Sequence, residues 1–525
     1  MQLTVTYQKT LLCLALLAVT FALYWPALDD EFVWDAAVLH QDPSLGSVSS
    51  LFSGFTAQAM QGAHDNGQGT RVLKYYRPFT KALHVVEHQL FGVDPFPYKL
   101  INIALHGTVA ILLFTLVASI QASLPMAFFA ALLFLVKPIH TEAVAWTYSD
   151  SYLLVALFAL ASLLALRRKS HPLALVAFSL ALLSHEIGVL LLPIVALYGI
   201  LVEQRTTRRG LLALVPYLLL TLAFLALRRW VVGPVPLSAV DPLVFANTAA
   251  YVFAKYLKIF LWPDAPVTLY LQALYPTANT YVVAGYLLLL LCGWIAWLLW
   301  RRDRVLLFWF LWFFIWSAVS YNIGSFGEYL MAEKIIYLAS AGLGVLVVAL
   351  LLRGFSQHSS LAYAGLVGVA LVYAVNTSRR LPYWQDTHAY LVKALEYAPA
   401  FPAGWYTLAN VYREAGKYGQ ALMALEQAVA HNPNFSLALN NIGNIHFLQG
   451  RIPQAAEYWQ KAVQSDPTNP QPYYNIGMAM QRMGKPHQAL EYYEQYLVLA
   501  EQPDPRASQS IDNLRRSLGV ERGHE

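Results

Sequence analysis

Residues 281–300 read YVVAGYLLLLLCGWIAWLLW, and Arg301, Arg302 and Arg304 follow at once. A helix of about 20 residues spans a hydrocarbon core of ~30 Å, so this stretch predicts a transmembrane span that ends in a basic loop. The same pattern recurs on both sides of it, over 11–24, 101–120, 125–137, 151–166, 172–184, 187–202, 211–228, 305–320, 335–352 and 361–376, which makes eleven expected spans. Several are shorter than the usual ~20 residues and imply tilted packing or a locally thinned bilayer.

Composition agrees with this reading. The 525 residues are 58% hydrophobic, 14% aromatic and only 12% charged, which excludes a soluble chain of this length. The formal charge of +5 is held in small clusters between apolar runs. Such clusters orient a chain in the bilayer, and they support no nucleic-acid partner. Cys13 and Cys292 both fall inside expected spans, so neither a disulfide framework nor a zinc site follows from them. The run 11–24 follows Lys9 without a small-residue cleavage site and reads as an uncleaved first span.

Orientation follows from the basic loops. Arg167, Arg168 and Lys169, then Arg205, Arg208 and Arg209, then Arg301, Arg302 and Arg304, and finally Arg353, share one side if 247–262 does not cross. That segment carries Lys255 and Lys258 and ends at Trp262-Pro263, which suits an interfacial helix. The basic side is then cytoplasmic, while the loop 25–100 and everything after 380 lie outside the cytoplasm.

Beyond the last span the period changes. Gly416, Gly450 and Gly484 recur every 34 residues, as do Ala421, Ala455 and Ala489, the small residues Ala409, Gly443 and Gly477, and Pro433 with Pro467. This is the spacing of tetratricopeptide repeats, paired helices that stack into a solenoid. The expected fold is therefore all-α, with a polytopic membrane body over 1–380 and a repeat domain over 381–525. The repeats cover 402–435, 436–469 and 470–503, and a half-repeat over 386–399 precedes them. Tyr406, Asn410, Asn441, Tyr474 and Asn475 are candidates for a concave, acceptor-binding face, with a packing role as the competing reading of each.

Three polar segments interrupt the membrane body, and by this topology all reach the outer face. They are Asp29 to Asp35 with Tyr75 to Phe79, His140 to Trp146, and Glu328 to Tyr337; His185-Glu186 joins them. Ionisable groups are costly at membrane depth, so their convergence argues for a site. Asp29 and Glu31 read as solvated loop, whereas Asp35, flanked by apolar residues, reads as functional.

The order Phe32-Val33-Trp34-Asp35, Tyr76-Arg77-Pro78, Pro138-Ile139-His140-Thr141-Glu142-Ala143-Val144-Ala145-Trp146, Glu186, Glu333-Lys334 and Tyr337-Leu338, with repeats behind it, resembles the TMTC family of transmembrane and tetratricopeptide-repeat O-mannosyltransferases. These fall within the wider GT-C group of glycosyltransferases. The resemblance implies a GT-C-like membrane body, an acidic catalytic residue in the first extracytoplasmic loop and a polyprenyl-phosphate-linked sugar as donor. The chain also departs from the family pattern. Ala36 follows Asp35 where a second aspartate is usual, Asp150 and Tyr152 stand for an arginine and an aspartate, His185 for a lysine, and Lys334 for an arginine. These exchanges leave the sugar open.

Transfer from a polyprenyl phosphate needs a base for the acceptor hydroxyl and cations for the departing phosphate. The resemblance and the chemistry together nominate Asp35 as base and Arg77, Lys334, His140 and Arg229 as phosphate ligands. Arg228 and Arg229 have an equal reading as interfacial anchors. Glu142, Glu186 and Glu333 are supporting or metal candidates that either orient the cations or hold a divalent ion, and no spacing specifies a metal site. The expected setting is a bacterial inner membrane with periplasmic repeats, or the endoplasmic reticulum with luminal repeats in a eukaryote. Expected partners are the bilayer, the lipid-linked sugar and a protein or peptide acceptor bound by the repeats. The competing readings are a non-catalytic membrane-anchored repeat scaffold for envelope or pilus assembly, and a transporter, for which no internal symmetry of spans is visible.

Overall fold

The computed structural model describes residues 2–34, 43–47, 60–65, 70–204, 210, 212–234, 240–262, 270–271, 275, 277–318, 329–500 and 503–519. The chain forms two compact units, one of Met1–Gly62 with Leu73–Lys393 and one of Ala63–Val72 with Ala394–Glu525. It is almost wholly helical. Among the described residues the departures from an all-helical chain are short strands, Met60–Asp65, Thr70–Tyr75, and Tyr270–Leu271 paired antiparallel with Tyr329–Met331.

In the first unit, each expected span coincides with an apolar helix. Six are long and apolar enough to cross a bilayer: Thr6–Ala27, Pro95–Gln121, Thr147–Arg167, Val215–Val232, Thr280–Arg302 and Ser356–Trp384. The expected span 125–137 is the first arm of a broken pair, Leu124–Leu135 and Pro138–Ala145, bent by 55°. Proline cannot donate a backbone hydrogen bond, and the residue before it avoids helical backbone, so the break falls at Lys137-Pro138. Four shorter apolar helices complete the set, His171–Ser184, Glu186–Val202, Arg304–Ser317 and Ala339–Gly354. The helix Pro242–Leu261, with Lys255 and Lys258, does not qualify as a span by composition.

Pro95–Gln121 packs against Gln2–Tyr24, Leu124–Leu135 and Asp150–Arg167, and the last of these packs against His171–Ser184. Arg304–Ser317 lies on Ala339–Gly354, where a Cβ at Gly342 would strike the Trp309 carbonyl oxygen, so only glycine permits that approach. Other helices leave apolar surface outward. Leu287, Leu290, Trp294, Trp297 and Trp300 are all exposed on Thr280–Arg302, as expected of a lipid-facing helix with tryptophans toward its basic end.

The second unit is the repeat array, with helix pairs Pro402–Glu414/Tyr418–His431, Ser436–Leu448/Ile452–Ser465 and Pro470–Arg482/Pro486–Leu499, followed by Pro505–Ser517. Gly416, Gly450 and Gly484 have φ of +71°, +76° and +72°, the left-handed backbone that ends each first helix. Ala421, Ala455 and Ala489 are fully buried at the helix crossings. A Cβ at Gly443 would meet the Trp459 indole, and one at Gly477 the Tyr493 ring.

Candidate functional site

The polar segments of the membrane body fold into two linked ion-pair groups. Arg77 precedes Pro78, which opens the helix Pro78–Phe91. Its Nε lies 2.9 Å from Glu186 Oε2, while the Tyr76 backbone N–H donates to Glu186 Oε1 at 2.9 Å. The guanidinium also faces the Tyr75 ring at 4.4 Å. Burial opposes the Arg77 charge, but Glu186 and the tyrosines Tyr148, Tyr152 and Tyr75 outweigh it and hold the group above its ordinary range. Arg77 thus stays cationic.

The second group is built on the turn Glu333–Ile336. The Lys334 backbone N–H donates to Glu142 Oε2 at 3.0 Å, and Lys334 Nζ lies 3.7 Å from Glu142 Oε1. The same ammonium sits 3.9 Å above the Trp146 ring. The neighbouring Glu333 turns the other way and pairs with Arg380 at 2.6 Å, both side chains buried. One carboxylate therefore positions Lys334 while an adjacent one pins the turn.

Tyr152 joins the groups. Its ring is 4.6 Å from that of His185 and 5.9 Å from Lys334 Nζ, within electrostatic reach of Arg77, Glu142 and Glu186. His185 Nδ1 accepts the Ile187 backbone N–H at 3.1 Å, so that nitrogen carries no proton and its 3.4 Å approach to Glu186 is not an ion pair. Arg77, Tyr148, Tyr152, Glu186 and Lys334 are each partly exposed, so the group is not sealed in the core.

The candidate base Asp35 lies outside the described residues, but the chain leading to it is anchored to this group. Trp146 donates its indole N–H to the Val33 carbonyl at 3.2 Å. The Trp34 N–H donates to Thr387 Oγ1 at 2.9 Å, and its ring packs on Tyr390 at 5.4 Å. Trp34 has φ of +50°, a left-handed conformation that costs a bulky residue ~1–2 kcal/mol. These contacts hold it there.

The other expected ligands lie apart from the group. His140 is buried, its Nε2 2.9 Å from Ser340 Oγ, and it packs against Phe134, Tyr337 and His106. Because Ser340 donates to the Tyr337 carbonyl, it accepts from His140. Arg229 is exposed on Val215–Val232 and pairs with no acid among the described residues. Glu142, Glu186 and Glu333 each contact a cation rather than one another. Sequence reasoning missed Arg380, although two arginines ending the 361–376 span away from the other basic loops were the available signal. It also missed Tyr152 as the joining residue and the acid–histidine group of His84, Glu87 and Asp150.

In the repeat unit, Asn441 Nδ2 donates to Asn410 Oδ1 at 3.2 Å, and Asn475 Nδ2 donates to Asn440 and Asn444 at 2.8 and 3.0 Å. Tyr406 packs on Phe435 and Tyr474 on Tyr493 and Tyr496. The candidate acceptor residues therefore combine packing with a run of amides along the first helices.

Comparison with known proteins agrees with both units. Tetratricopeptide-repeat family models match residues 406–470 and 458–491. Protein O-mannosyl-transferase F38B6.6 of Caenorhabditis elegans is 25% identical over 438 residues, 77% of this chain and 60% of the relative. Human protein O-mannosyl-transferase TMTC3 is 28% identical over 207 residues, 37% of this chain and 22% of the relative. The chain is similar to these proteins over part of its length. The chain spans 60% of the worm relative and about a quarter or less of the human and mouse TMTC3 proteins, of which the latter is 29% identical over 25% of its length. Among solved structures, MamA aligns to 26% of this chain and 73% of its own, at 22% identity and a TM-score of 0.24.

Proposed function

We propose that this protein is an integral membrane glycosyltransferase that moves a sugar from a polyprenyl-phosphate donor to a hydroxyl of a protein acceptor on the extracytoplasmic face. The observation that carries the reading is the partly exposed set of two cations, Arg77 and Lys334, each held by its own carboxylate around Tyr152. Trp146 adds to it by binding both Lys334 and the Val33 backbone that leads to Asp35. The similarity to protein O-mannosyl-transferases supports the reaction class.

In this reaction the acceptor oxygen bonds to the anomeric carbon as the bond from that carbon to the phosphate oxygen breaks. The hydroxyl proton passes to the Asp35 carboxylate, and the polyprenyl phosphate leaves with the bonding electron pair. Arg77 and Lys334 stabilise the charge that develops on the phosphate. Because Glu186 and Glu142 already orient them, little reorganisation accompanies transfer. The repeats supply the acceptor-binding surface.

The test is transfer of labelled sugar from a polyprenyl-phosphate donor to envelope or luminal protein by the purified chain, compared with Asp35→Ala and Lys334→Ala. Loss of transfer with retained folding is expected. Equal transfer by Asp35→Ala would remove Asp35 as the base, and absence of transfer by the wild-type chain together with equal cellular rescue by Asp35→Ala would favour the scaffold reading.

A further inference from the structure

A second polar group lies beside the one just described and takes no part in the proposed chemistry. His84 and Glu87 stand three residues apart on Pro78–Phe91 and so share one face of it. Asp150 meets them from the first position of Asp150–Arg167. One potential ligand atom from each lies within 4.8 Å of the others, and all three residues are buried. We propose that His84, Glu87 and Asp150 bind a divalent transition-metal cation, with zinc or manganese as the fitting class.

Three observations carry this. His84 Nε2 and Asp150 Oδ2 are 2.7 Å apart, a separation that opens by a few tenths of an ångström when both ligate one ion at ~2.0–2.2 Å. Glu87 is 4% exposed and makes no hydrogen bond among the described residues, while Asp150 Oδ1 is likewise buried without a partner. The Glu87 and Asp150 carboxyls thus share a buried space with the His84 imidazole. His84 and Asp150 act electrostatically on Glu87, and Arg77 acts on His84.

His84 pairs with Asp150 in this structure, and a dication in place of that contact would balance both buried carboxylates. Mixed imidazole and carboxylate donors suit zinc or manganese better than calcium, which takes six or more oxygens. The ion would tie Pro78–Phe91 to the start of Asp150–Arg167. Arg77 lies immediately before the first of these helices and Tyr152 in the first turn of the second, so the metal would fix the spacing of the cation group without touching substrate.

The test uses the full chain, purified in detergent, stripped with chelator and dialysed against zinc or manganese before metal analysis. Wild type is expected to retain one ion per chain, and Glu87→Gln and Asp150→Asn to lose it while keeping their helical circular dichroism. Cobalt loaded in place of zinc should show one imidazole nitrogen and carboxylate oxygens by X-ray absorption. A wild-type chain that retains no ion, or a folded Glu87→Gln that retains as much as wild type, overturns the site. If the variants do not fold, the cobalt ligand set decides, and an ion with no imidazole or several imidazoles overturns it.

Discussion

Lys334 shows how one residue can be readable in type and unreadable in role. Its charge at an outer-face turn marks it as a phosphate candidate from sequence, yet its orientation comes from Glu142, 192 positions earlier, and from the Trp146 ring. Removing the ammonium should cost less than breaking the neighbouring pair, because Lys334 Nζ is partly exposed, Glu142 keeps the Lys334 backbone N–H, and the turn is also held by Glu333 and Arg380. Lys334→Ala is therefore expected to lower the transfer rate by about 10²–10³ with little change in melting temperature, measured by single-turnover transfer and thermal unfolding in detergent. The neighbouring pair should behave in the opposite way. Glu333→Gln leaves the buried Arg380 charge without its carboxylate and should destabilise the membrane body by ~3–5 kcal/mol. A melting temperature equal to wild type would contradict that account. His84, Glu87 and Asp150 were invisible as a group in the linear chain, since Asp150 lies more than 60 positions from the other two.

At the scale of elements, periodicity did most of the work in the repeats and less in the membrane body. The 34-residue recurrence located each helix pair because the same three positions, a crossing alanine, a small residue and a left-handed glycine, solve the same packing problem each time. Gly443→Ala places a methyl against the Trp459 indole and should cost about 1–3 kcal/mol by overpacking. Gly450→Ala meets no neighbour but must keep φ of +76°, so a loss nearer 1 kcal/mol is expected. Hydrogen exchange of the repeat helices in the full chain ranks the two, and a larger effect at Gly450 would reverse the explanation. In the membrane body hydropathy found the apolar runs but not the 55° bend after Leu135, which places Glu142 beneath Lys334. A proline in an apolar run announces a break, whereas the angle depends on the helices packed around it.

For the whole molecule the testable quantity is sidedness. The arginine clusters predict that Lys169→Cys, in a chain lacking Cys13 and Cys292, reacts with an impermeant thiol reagent only from the cytoplasmic side. Tyr148→Cys, in the partly exposed cation group, should react only from the opposite side. Labelling of Tyr148→Cys from the cytoplasmic side would invert the proposed face of reaction. The two experiments need no activity and so stand apart from the transfer assay.

By itself the sequence determined the class of solvent each segment meets, the division into an apolar body and a periodic helical array, and the residue types placed at the polar interruptions. Those properties are local, because hydropathy, helix breaks and repeat spacing are written in neighbouring residues. Only the tertiary structure decided which acid holds which cation, that Tyr152 joins them, that His140 turns inward to Ser340, and that Glu333 supports rather than enters the group. Ion pairing acts over a few ångströms in space and is indifferent to separation along the chain, so Arg77 with Glu186 and Lys334 with Glu142 become partners only after the helices have packed.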